Sequence, residues 1–157
     1  MACPVTRIIA RFMLEGPAHR AGARALHRDL ARGLERLPAR FERPRDRAQA
    51  ERVLRHIIGI ERWGQRRLRV SLGDEPFVRD RYHPYAPDEH QSLDALVGAL
   101  RTTRQETIAL ARRIADSDAG GVRVEHNALG PITALGWLRY LRLHGDLEAR
   151  RVRSVRA

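Results

Sequence analysis

Four long stretches of the chain carry apolar residues at steps of three and four, and almost nothing in it alternates strictly. That spacing lines up side chains on one face of an α-helix, so a helical fold is the only architecture in which most of the apolar residues meet. The first stretch runs from about Ala18 to Leu37, with Leu26, Leu30, Leu34 and Leu37 in line. Pro38 and Pro44 punctuate its end. The second opens at Arg45-Asp46 and reaches Leu72, through Val53, Ile57, Ile60, Gly64 and Leu68, before the stop Gly73-Asp74-Glu75-Pro76. The third covers about Asp88 to Asp116 and places Leu93, Leu96, Val97, Leu100, Thr103, Thr107, Leu110 and Ile114 on one face. After Ser117–Gly121 and a short piece at 122–130 that can be extended, Pro131 reads as the first turn of a fourth helix reaching about Val152. The expectation is all-α, a four-helix bundle. Residues 1–17 read as an N-terminal extension with freedom to move, and 18–157 as a single bundle domain.

Composition narrows the function. The chain has 157 residues, one domain's worth. All 30 basic residues are arginine, against 19 acidic ones, giving a net charge of +11. Such a charge attracts polyanions. The arginines are nevertheless spread over every segment and interleaved with Asp and Glu, as in a solvated coat. The densest run is Arg150-Arg151 with Arg153 and Arg156. No helix-turn-helix, zinc-finger or RNA-binding signature accompanies it, so nucleic acid is a partner the charge permits but does not favour. The lone Cys3 rules out an intramolecular disulfide and a cysteine-cluster zinc site, and its place near the N-terminus makes it a poor nucleophile. No apolar run is long enough to span a membrane. The stretch from Ile8 to Leu14 is too short and arginine-broken for a signal peptide. A cytoplasmic protein without membrane contact is expected. Four serines and no G-x-S-x-G leave little room for a serine hydrolase, and neither a Walker loop nor a dinucleotide fingerprint is present.

Polar residues stand where the apolar stripes call for core. On the fourth stretch the stripe runs Trp137, Leu141, His144, Glu148, Val152, and on the second His56 falls between Val53 and Ile60. A carboxylate on an inner stripe needs a partner, because burying it unpaired costs several kcal/mol. Two partners are available: a metal ion, for which two imidazoles and a carboxylate are a standard ligand set, or one of the arginines. His27, His83, His90 and His126 lie beside the stripe or in loops, as ordinary residues or as supports to such a site. The segment 73–89 gathers Phe77, Tyr82, His83 and Tyr85 among three prolines. It reads either as a lid over the core or as the wall of a ligand pocket whose other candidate residues are Trp63 and Trp137.

The run Val53-Leu54-Arg55-His56-Ile57-Ile58-Gly59-Ile60-Glu61-Arg62-Trp63, with Arg67-Leu68 after it, resembles the second helix of the DinB-like (DinB/YfiT) family. Gly130-Pro131-Ile132-Thr133 through Trp137-Leu138-Arg139-Tyr140-Leu141 to His144 resembles that family's G-x-x-T … L … H-x-x-x-H stretch. The resemblance covers roughly residues 20–155. It implies a four-helix bundle, often a homodimer, in which one histidine of the second helix and an H-x-x-x-H pair of the fourth bind a divalent metal such as Zn, Ni, Mn or Fe. The first ligand falls on His56 and the second on His144. The third falls on position 148, where this chain has Glu148, so the set becomes His₂Glu or else marks a degenerate site with Glu148 paired to arginine. Members of the family include metal-dependent enzymes that move or use a low-molecular-weight thiol. The resemblance therefore implies a thiol transferase or hydrolase acting on a small electrophilic substrate, in stress response or detoxification. The alternative is a non-catalytic bundle that offers an arginine-rich surface to an acidic partner or nucleic acid.

Overall fold

A computed structural model describes Ile8 and residues 11–154. Cys3 and Arg156 lie outside the described residues, as does the backbone of most of the expected extension. The described chain is mostly helical, with a single two-stranded sheet. A π-helical turn, Arg11–Glu15, leads into a short helix α1 (Gly16–Ala21). Four long helices follow: α2 (Ala23–Ala39), α3 (Arg47–Leu72), α4 (Leu93–Ala115) and α5 (Ala134–Ala149). The hairpin β1 (Arg123–His126) and β2 (Gly130–Thr133) stands between α4 and α5, pairing Arg123 with Thr133 and His126 with Gly130. Among the described residues no helix is long and apolar enough to cross a membrane.

Local chemistry sets the ends of the helices. Gly22, with φ of 76°, breaks the first stretch into α1 and α2. Asp46 caps α3 by accepting a hydrogen bond from the Gln49 amide, and Gly73 closes it in the left-handed conformation. Ser92 caps α4, which starts after the expected Asp88 because residues 88–91 form a turn. Pro38 does not stop α2 but sits inside its last turn. Pro131 does not open α5; it lies in β2 opposite Glu125, and Thr133 is the cap, accepting from the Gly136 amide at 3.0 Å. The helix ends at Ala149, short of Val152.

The long helices make a closed ring of contacts in which α2 packs on α4 and α5, and α3 likewise packs on α4 and α5. The core is in two parts. One holds Leu26, Leu30, Ile60, Trp63, Leu68, Leu110, Ile114, Trp137, Leu138 and Leu141 together with the hairpin's Val124 and Ile132. The other holds Leu37, Phe41, Val53, Leu54, Ile57, Ile58, Leu96 and Leu100. Between them runs a buried polar band. Glu61 on α3 and Arg104 on α4, 1% and 2% exposed, pair at 2.9 Å. Thr107 donates its hydroxyl to Glu61 at 2.7 Å and accepts from Gln65 at 2.9 Å, while Gln65 also donates to the Thr103 carbonyl. Burial pushes the Glu61 carboxyl up, and Arg104 and Thr107 pull it back.

Residues 11–17 are tied to the far end of the chain. Glu15 accepts from the Thr133 amide at 2.8 Å and from its hydroxyl, placing a carboxylate at the N-terminus of α5. A β-carbon on Gly136 would stand 2.4 Å from that carboxylate. At the other end, the Arg45 amide donates to the Arg153 carbonyl at 2.9 Å.

Two substitutions test this packing by urea denaturation. Gly64→Ala sets a β-carbon 2.5 Å from the Leu141 side chain and is expected to cost about 1–3 kcal/mol through overpacking. Arg104→Met leaves Glu61 buried and unpaired and is expected to cost about 3–5 kcal/mol. Adding Glu61→Gln is expected to recover much of that loss.

Candidate metal centre

His56 on α3 and His144 on α5 face each other across the α3–α5 contact, with their Nε2 atoms 3.2 Å apart. Glu148, one turn beyond His144, completes the group: ligand atoms of His56, His144 and Glu148 all lie within 4.8 Å of one another. All three are half-buried. The separation of the imidazoles suits shared coordination, since two nitrogens each about 2.05 Å from an ion at a tetrahedral angle stand about 3.3 Å apart. It also suits a hydrogen bond between two neutral rings.

Electrostatics keep the rings ready to ligate. Burial lowers the pKa of His144 to about 4, helped by His56 and opposed by the Glu148 charge. Burial likewise lowers His56, with Glu148 again opposing and Arg151 and His83 adding to the drop. Neutral imidazoles with free lone pairs are the form that binds metal. Glu148 has a second partner: Arg151 donates to its Oε2 at 2.7 Å. That arginine is exposed, at 64% against 21% for the glutamate, so the pair is a solvated one. The residues therefore fit a divalent ion, and the arginine anticipated as the rival partner is Arg151.

The segment between α3 and α4 folds over this centre as a pinned strap. Asp80 is the pin. It accepts from Trp63 Nε1 at 2.9 Å, from the buried Arg67 at 2.6 Å and from the Tyr85 hydroxyl. Burial works to raise the Asp80 pKa, but these hydrogen bonds outweigh it and hold the carboxyl below its ordinary range. Arg55 fastens the far end through the carbonyls of Asp88 and Gln91. Gly59, one turn from His56, lets the strap come close; a β-carbon there would stand 3.2 Å from Ala86. The strap thereby sets Tyr82 edge-on to His56, ring centres 5.1 Å apart, with His83 stacked on Tyr82. Tyr140 stands 5.6 Å from His144, and burial, Glu148 and Tyr82 push its hydroxyl up to about 12.

Beside the centre opens a cavity of about 260 Å³ whose walls include Trp63, Tyr82, His83 and Tyr140. Of the expected pocket residues, Trp63, Tyr82 and His83 line it. Tyr85 instead bonds Asp80 and Arg66. Trp137 is fully enclosed and donates to the Val124 carbonyl at 3.1 Å. His126, which looked ordinary in a loop, is the residue the sequence underplayed. It sits in β1 at 7% exposure, amid Trp63, Trp137 and Tyr140, and also lines the cavity. Only its closeness to two tryptophans in space marks it, and no spacing in the sequence carries that. His90 is exposed beside Glu89.

Comparison with known proteins gave no match: no family model, curated protein or solved structure is detectably similar to the chain.

Burial lowers His126 from 6.5 to about 4, reinforced by Arg67 and His144. The unfolded chain binds that proton more readily, so the stability contribution is full above pH 6.5 and is lost as pH falls toward 4. The loss is on the order of 3 kcal/mol. In urea titrations at pH 7 and 4.5, His126→Asn, which keeps an acceptor for the turn amides, is expected to reduce the slope, the remainder coming from His144, which burial lowers likewise. An unchanged slope would rule out His126 as its source.

Proposed function

We propose that the chain is a DinB-like four-helix bundle of the cytoplasm that holds one divalent ion, Zn, Ni, Mn or Fe, on His56, His144 and Glu148. We further propose that it acts on a small electrophilic substrate as a thiol transferase or hydrolase, in stress response or detoxification. The observation that carries the reading is the pair of imidazoles 3.2 Å apart with a carboxylate within ligand reach, joined through Tyr82 and Tyr140 to a neighbouring cavity. When bound, such an ion lowers the pKa of a water or thiol and makes it a nucleophile at neutral pH. The chain's own part is positional. The α3–α5 contact fixes the two rings, the strap pinned at Asp80 holds Tyr82 against His56, and the enclosing rings exclude water from one side. Glu148 brings a negative charge in place of the family's third histidine. A low-molecular-weight thiol as co-substrate and a homodimer belong to the same proposal.

The second reading is a non-catalytic scaffold whose centre has decayed and whose surface binds an acidic partner or nucleic acid. The Arg151–Glu148 pair favours it, as do Arg36, Arg40 and Arg150 around one surface depression.

Metal uptake separates the two. Protein purified without an affinity tag is expected to bind one equivalent of divalent metal, measured by elemental analysis, and to melt several degrees higher with Zn²⁺, Ni²⁺, Mn²⁺ or Fe²⁺. His56→Ala and His144→Ala are each expected to abolish the shift, and Glu148→Gln to weaken affinity about 10–100-fold, a loss of the size seen when a supporting group is removed. A metal-free protein whose melting ignores all four ions would exclude the centre. Salt-dependent retardation of DNA by that protein would support the scaffold.

A further inference from the structure

The cavity beside the centre is built from rings. Ile60, Trp63, Tyr82, His126 and Tyr140 form its walls, and Arg81 stands at its rim. Its volume of about 260 Å³ exceeds the ~150 Å³ that holds one benzene, so a single ring with a substituent fits.

Two polar features border the cavity, and the first, Arg81, says what that ring carries. Arg81 is exposed and has no carboxylate partner among the described residues, while arginines around it, Arg66, Arg67 and Arg79, all have one. An unpaired guanidinium at the mouth of an apolar cavity favours an anion, and its fork matches a carboxylate. The second feature is His126. Its Nδ1 accepts hydrogen bonds from the Ala128 and Leu129 amides at 3.2 and 3.1 Å, so the ring proton is on Nε2. That Nε2–H is buried and has no acceptor. Having almost no exposed surface, that atom does not open on the cavity, so His126 gives the ring a wall and not a hydrogen bond. The cavity is also coupled to the centre, because its wall residues Tyr82 and Tyr140 are the ones that rest on His56 and His144.

We propose that this cavity binds a single aromatic ring bearing a carboxylate, the ring held among Trp63, Tyr82, His126 and Tyr140 and the carboxylate on Arg81. The ring's standing as the substrate of the metal centre rests on the function proposed above; its binding does not.

The test is titration of the full chain with benzoate, benzyl alcohol and acetate, followed by tryptophan fluorescence and by chemical shifts of the cavity residues. Benzoate is expected to saturate and to shift Trp63 and Tyr82. Acetate is expected to bind at least tenfold more weakly. Arg81→Gln, a surface change that leaves the core intact, is expected to weaken benzoate at least fivefold and leave benzyl alcohol unchanged. His126→Asn is expected to weaken both ring ligands. The chain stripped of metal by a chelator is expected to bind benzoate within twofold of the metal-loaded chain, so a protein that takes up no metal yet saturates with benzoate refutes the centre alone. No saturation by benzoate, acetate binding as well as benzoate, or an Arg81→Gln protein that binds benzoate as before would overturn the proposal.

Discussion

The buried pair of Glu61 and Arg104 decides how the helices stand against one another. Two charges in a nearly dry contact tolerate little displacement, since either one alone would be left unsolvated. Thr107 and Gln65 extend the pair into a band that fixes the register of α3 against α4 and splits the core in two. On α5 the band meets Gly145, where a β-carbon would stand 3.0 Å from the Arg104 guanidinium. His144 is the next residue back along that helix. The imidazole pair therefore stands close to the level at which the helices already give up apolar packing.

The helical segments were legible because the apolar period extends over many turns, and His56, His144 and Glu148 stood out as polar residues on apolar stripes. Their convergence on one ion was one of two readings of the stripes, with an arginine partner as the other, and the DinB-like resemblance favoured it. Three features were not legible, for related reasons. Pro131 is compatible with both a first helical turn and a strand, and only the pairing of Glu125 with Pro131 and the anchoring of Thr133 by Glu15 decide between them. Arg104 looks like any other arginine until Glu61 is found opposite it. His126 owes its burial to Trp63 and Trp137, both distant in sequence. Each is settled by a long-range partner, which local spacing does not encode.

The arginine excess takes on a more differentiated meaning. Part of it is paired weakly with surface carboxylates, as Arg47, Arg69 and Arg112 are with Glu51, Glu106 and Asp116, in the manner of a solvated coat. Arg67 and Arg104 are instead structural, buried against Asp80 and Glu61. Arg151 competes for the carboxylate of Glu148, and its hold is that of an exposed ion pair, which an ion bound by two imidazoles can displace.

The proposed function requires one ion shared by His56 and His144. X-ray absorption at the metal edge of protein loaded with one equivalent of Zn²⁺ tests it most directly. Two imidazole nitrogens at about 2.0–2.1 Å with oxygen completing the shell are expected, with loss of the imidazole scattering in the His56→Ala/His144→Ala variant. A shell of oxygen alone, or a spectrum unaltered by that double substitution, would contradict it.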